Sequence, residues 1–137
     1  MNCAFIKIGL SGCEMGSSYH LPRLIGLSNA AELLYTGRFI NADRALRTGL
    51  ISDVVPEAEL VATGKALADD MVATAPLGLR LTKEAYWANV DAQSLDAAIA
   101  MEDRNQILTV ANGDLTEGIA AFLDKREPDW TKQAAGG

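Results

Sequence analysis

Apolar positions recur at helical spacing through most of the second half of the chain. Leu60, Val61, Leu67, Ala68, Met71, Val72 and Ala75 fall on one helical face, which predicts a long amphipathic helix from Glu57 to near Pro76. Residues 77–90 and 93–111 predict two more helices, the second flanked by Ser94 and by the Asn112-Gly113 stop. Asp114 and Glu117 have the spacing of a capping pair for a last helix carrying Ile119, Phe122 and Leu123, and TKQAAGG is expected to fray.

The first half reads differently. NCAFIKIGL is apolar on both faces except at Lys7 and predicts a short strand ended by Gly9, with a glycine-rich turn after it. Residues 17–25 predict a helix in which Pro22 must occupy the first turn or break it. Asn29 and Glu32 are placed to cap a two-turn helix that Gly37 stops, and Asn41 caps another that runs through Arg47 and closes at Gly49. LISDVV then alternates apolar and polar up to Pro56, the pattern of a second strand. The expected class is therefore α+β, mainly α.

Two strands are marginal by themselves in water. A first strand that is apolar on both faces calls for neighbours from upstream residues or from another chain. The pattern thus reads as the back part of a larger fold.

Composition narrows the function. At 137 residues and 49% apolar the chain can build a real core. A net charge of -6 argues against a protein whose main task is to neutralise nucleic-acid phosphates. No apolar run approaches a membrane span and no secretory signal is visible, so a cytoplasmic protein is expected. Cys3 and Cys13 with one histidine, His20, support neither a disulfide framework nor a zinc site.

Four stretches carry a resemblance: AFIKIGLSGCEMGSSYHLPRLIG, LLYTGRFINADRALRTGLISDVVP, APLGLRLTKEAYW and DLTEGIAAFLDKREPDW. In this order they resemble the C-terminal half of the crotonase superfamily, the enoyl-CoA hydratases and isomerases. The TGR, GL and VVP elements of the second stretch are the most specific. The resemblance covers nearly the whole chain, and it implies that residues 1–56 end a crotonase-like ββα spiral core. It further implies that residues 57–137 form the C-terminal helical region that mediates oligomerisation, with a homotrimer or hexamer as the assembly.

The implied chemistry is enolate formation on a coenzyme A thioester, with the coenzyme as part of the substrate and no separate cofactor. In such families two backbone N–H groups polarise the thioester carbonyl, and both come from the N-terminal half. Hydration uses two carboxylates. One family glutamate lies upstream; the other belongs to a P-E-x-x-x-G motif, where this chain has Ala4-Phe5-Ile6-Lys7-Ile8-Gly9, so that Phe5 stands in its place.

Glu14 offers a replacement. Counted back from Leu21-Pro22-Arg23, it falls where isomerase-like members carry a catalytic aspartate in G-L-x-P-D-x-G, with one extra residue between Gly9 and Glu14. A single carboxylate in an apolar pocket, its charged form disfavoured, suits moving a proton between two carbons. The competing reading is a solvated turn residue between Gly12 and Gly16. Those glycines are read as tight-turn residues, with close approach to a ligand as the alternative.

In the last helix, Phe122 and Lys125-Arg126 lie one turn apart. The family's corresponding Phe and Lys contact the adenine and phosphates of coenzyme A. The competing reading places Phe122 in the core and gives the basic pair to the helix C-terminus. Tyr86, Trp87 and Met101 are read as packing residues, and His20 as a satisfied core or surface histidine. The function the resemblance implies is that of an enoyl-CoA hydratase/isomerase family protein acting on a fatty acyl-CoA or related thioester, with Glu14 as an isomerase-like general acid/base. A catalytically incomplete fragment that oligomerises or binds coenzyme A is the alternative.

Overall fold

The computed structural model describes residues 1–131. Among them there are six α-helices and no strand: α1 (Ser17–Thr36), α2 (Ala42–Thr48), α3 (Leu60–Val72), α4 (Pro76–Asn89), α5 (Leu95–Ala111) and α6 (Asp114–Asp124). Short 3-10 turns cover Ala4–Ile8 and Glu57–Glu59. The α+β expectation is corrected to an all-helical chain over the described residues. Except for Thr131, the tail expected to fray lies outside them. None of the described helices is long and apolar enough to cross a membrane.

Both expected strands fail for the same reason. A strand exists only when a neighbour takes its backbone groups. Residues 4–8 close instead on themselves as a 3-10 turn that Gly9 terminates. Met1 and Ile40 exchange two backbone hydrogen bonds of 2.9 Å, an isolated pairing that does not propagate. Residues 50–55 are without regular structure: Leu50 and Ile51 pack on the core, and the Asp53 side chain accepts the Val54 N–H at 2.7 Å.

The chain divides into two compact units, Met1–Leu60 and Val61–Gly137. In the first, Leu21, Ile25, Ala30, Leu33, Leu34, Ile40 and Ala45 form the buried core. α1 supplies five of these residues because it is bent. Its break lies at Gly26 (φ 76°, ψ 159°), a region of backbone space open essentially to glycine alone. Pro22, expected to occupy the first turn or to break the helix, does neither and is accommodated inside it.

The capping expected from Asn29 and Glu32 is also replaced. Asn29 Nδ2 donates back to Ile25 O at 2.9 Å. Glu32 receives both arms of the Arg44 guanidinium, from α2, together with Arg38 Nη1 at 2.9 Å. The Arg44 hydrogen bonds hold the Glu32 carboxyl below the usual carboxylate range. Partial burial opposes this, and the charges of Arg44 and Arg38 reinforce it. A lowered folded-state pKa means stability that is present above the unfolded value near 4.5 and lost as pH falls through the folded one. The first unit should therefore melt at progressively lower temperature below about pH 4.5. Glu32→Gln should remove that part of the pH dependence in thermal melts followed by circular dichroism, and an unchanged profile would deny the pair this role.

In the second unit α4 packs on α5, and α5 on α6. Local rules explain the starts: Pro76 opens α4, and Ser94 accepts the Ala97 N–H at 3.1 Å to cap α5. The expected Asp114–Glu117 capping pair does not form. Gly113 is the N-cap, and Asp114 Oδ1 instead accepts from Asn112 Nδ2 at 2.8 Å. α3 buries none of its residues, so its apolar stripe, including Val61 and Leu67, stands in solvent.

Candidate functional site

Glu14 lies in the turn between the Ala4–Ile8 segment and α1. Its backbone is fixed at both ends: its N–H donates to Ser17 Oγ at 3.1 Å, and its carbonyl accepts the Ser17 N–H at 2.9 Å. Ser17 Oγ also reaches Gly12 O at 3.4 Å. Gly12 is buried, and its reason for being glycine is geometric. A Cβ built there would overlap the carbonyl oxygen of Leu34 and lie 3.0 Å from its carbon. The backbone that carries Glu14 is thus pressed against the second half of α1, and the close approach is to the protein itself.

The Glu14 side chain is exposed, as are its apolar neighbours Ile8, Leu10 and Met15. The apolar enclosure expected for this carboxylate is not supplied by the described residues. Phe5, in the place of the family glutamate, is half-buried in the 3-10 turn. His20, also exposed, meets Tyr19 edge to face, and Arg23 lies 3.5 Å over the Tyr19 ring.

The second group of expected site residues falls in the second unit. Phe122 is 82% exposed, which removes the reading of it as core. Lys125 does not continue the helix; it closes it in the left-handed region at φ 54°, where a non-glycine residue costs about 1 kcal/mol. Lys125 N–H donates to Phe122 O and Arg126 N–H to Ala121 O, the paired bonds of a Schellman stop. Arg126 separates from Lys125 in role. It makes a two-pronged bond to Glu117, and that hydrogen bonding, more than the nearby charges, raises its guanidinium above its ordinary value.

A groove of about 760 Å³ opens between α4 and α5, floored by Leu81 and Ala85 and edged by Tyr86 and Gln106. Asn105, buried at its base, donates to Leu81 O at 3.3 Å and accepts from Arg104. Neither Glu14, Phe122 nor Lys125 lines it. Tyr86 and Trp87, expected to pack, are more than half exposed with their rings 5.5 Å apart. Sequence reasoning missed the Asn105 and Glu117 connections. An asparagine within a helical stripe and a glutamate nine residues before an arginine were the only available signals. No three His, Cys, Asp or Glu side chains are grouped as metal ligands among the described residues.

Comparison with known proteins agrees across sequence and shape. The family model described as enoyl-CoA hydratase/isomerase matches residues 1–133. A probable enoyl-CoA hydratase of Mycobacterium tuberculosis is 38% identical over 129 residues, covering 93% of this chain and 45% of that protein. A crotonyl-CoA hydratase of Syntrophomonas wolfei is 40% identical over 116 residues, covering 84% of this chain and 44% of that protein. The crystal structure of a probable enoyl-CoA hydratase/isomerase from Mycobacterium abscessus superposes with a TM-score of 0.89 at 34% identity, covering 94% of this chain and 50% of that one. The chain spans about half the length of the curated relatives it matches. With this match over nearly all its residues, the chain belongs to the enoyl-CoA hydratase/isomerase family.

Proposed function

We propose that this chain supplies the acid–base and coenzyme-binding half of an acyl-CoA isomerase-type site. Glu14 takes a proton from one carbon of an enoyl thioester and returns it to another, moving the double bond. Amides outside this segment polarise the thioester oxygen, and such donors commonly contribute about 3 kcal/mol of transition-state stabilisation each. The observation that carries the reading is the fixed backbone of Glu14. Its turn is pinned by Ser17 and by the contact of Gly12 with Leu34, so one carboxylate is presented at a defined place beside exposed apolar side chains. With Phe5 in the position of the second family carboxylate, isomerisation suits the residues better than hydration.

Phe122 and Lys125 serve as the coenzyme A contacts. An exposed phenyl ring can stack on adenine, and the exposed Lys125 ammonium can meet a phosphate. The uncovered stripe of α3 supports assembly with further copies, a homotrimer or hexamer being the form proposed.

A second reading has its own support. Glu14 is exposed and lines no described pocket, as expected of a segment that binds coenzyme A or oligomerises without turnover. Reconstitution separates the two. The chain is mixed with the N-terminal half of the Mycobacterium abscessus relative, and a 3-enoyl thioester is followed by the rise in ultraviolet absorbance on conjugation. The proposal expects turnover in the mixture and none from either part alone; a stable mixed complex without turnover would favour the second reading.

A further inference from the structure

Lys125 is one of two described non-glycine residues at positive φ. A lysine has no intrinsic reason to occupy the position where helices usually end on glycine, so something must hold it there. The Schellman bonds are part of the answer, and Glu117 is the rest. Its side chain is only 11% exposed, and one oxygen takes both Arg126 Nη1 at 2.6 Å and the Asp129 N–H at 2.7 Å, while the other takes Arg126 Nη2 at 3.2 Å. A residue one helical turn into α6 thus grips the chain on both sides of Pro128, immediately after the strained lysine. The same segment is anchored further on by Trp130 Nε1, which donates to Ala73 O at 2.9 Å at the end of α3. Lys125 itself is left out of the clamp, exposed and out of helical register, three residues after the exposed Phe122, whose carbonyl accepts its N–H.

We propose that Glu117 is a positioning residue for anion binding, holding Lys125 in its left-handed conformation through Arg126 and the Asp129 amide so that its ammonium stands ready beside Phe122 for a phosphate. The proposal rests on the reading of Lys125 as a coenzyme A phosphate contact. Glu117 touches no ligand. It removes the freedom that a lysine after a helix end would otherwise lose on binding.

The test titrates the full chain with coenzyme A and with adenosine, which has the base but no phosphate, by NMR. Glu117→Gln and Lys125→Ala should each weaken coenzyme A binding about three- to tenfold, the range of one exposed charged contact. Adenosine affinity should be unchanged in both, and the double variant should be no weaker than either single one. A Glu117→Gln chain that keeps full coenzyme A affinity while Lys125→Ala loses it overturns the positioning role and leaves the lysine contact standing. An inert Lys125→Ala removes both. Additive losses, or an equal loss for adenosine, mark Glu117 as acting on the fold alone and also overturn the proposal. Should circular dichroism show Glu117→Gln to be unfolded, Arg126→Lys keeps the charge but not the two-pronged geometry and is judged by the same outcomes.

Discussion

Gly12→Ala is expected to unfold the first compact unit. The added methyl carbon would overlap a backbone carbonyl oxygen, that of Leu34, which cannot turn aside as a flexible side chain could. Either the turn lifts from α1 or the second half of α1 moves, and each disrupts the packing of Leu33 and Leu34 in the core. Overpacking of this kind costs about 3 kcal/mol or more. A unit of some sixty residues holds only about 3–9 kcal/mol in total. Hydrogen exchange in the α1 peptides reports the outcome, with Gly64→Ala as the control. Gly64 is helical with open space at its Cβ, so that change should stabilise its helix by about 0.5–1 kcal/mol. Native-like protection of α1 in Gly12→Ala would contradict the packing described for the Glu14 turn.

Features governed by near neighbours were legible before the fold was known. Asn41 does accept the Arg44 N–H, Ser94 does cap α5, and Gly37 and Gly49 do end their helices, because each involves residues within a turn of one another. What escaped the sequence depends on distant partners. Asn29 and Glu32 satisfy a capping spacing, yet Glu32 is claimed by Arg44, twelve residues away, and Asn29 by the turn before it. Glu117 likewise has the spacing of a cap and is taken by Arg126 and Asp129. The break in α1 falls at Gly26, between the helices expected over residues 17–25 and from Asn29, and not at Pro22. Proline removes one hydrogen bond, whereas the backbone at Gly26 adopts angles closed to other residues. The strand readings of residues 2–10 and 50–55 respected side-chain pattern but not the need for a pairing edge.

The candidate site was legible as a set of residues and not as a constellation. Sequence singled out Glu14, Phe122 and Lys125. In the structure they fall on a pinned turn, an exposed ring and a helix stop. The apolar surroundings expected for Glu14 were inferred from the composition of residues 8–26. The large aliphatic side chains there are divided between the buried Leu21 and Ile25 and the exposed Ile8, Leu10, Met15 and Leu24.

Replacing Glu14 is expected to have the largest effect on chemistry. Glutamine keeps the size and hydrogen-bonding reach of the side chain but cannot accept the proton, and loss of a positioned acid–base group typically lowers rate by about 100- to 10,000-fold. The backbone bonds that hold the turn involve only the Glu14 main chain and Ser17, so Glu14→Gln leaves the fold intact. Aspartate, one methylene shorter, should recover part of the rate by keeping the carboxylate. The decisive measurement is 3-enoyl thioester isomerisation by the reconstituted protein with each variant, at matched coenzyme A affinity. The account predicts a fall of about 100-fold or more for glutamine and partial recovery for aspartate. Turnover unchanged in Glu14→Gln would contradict it.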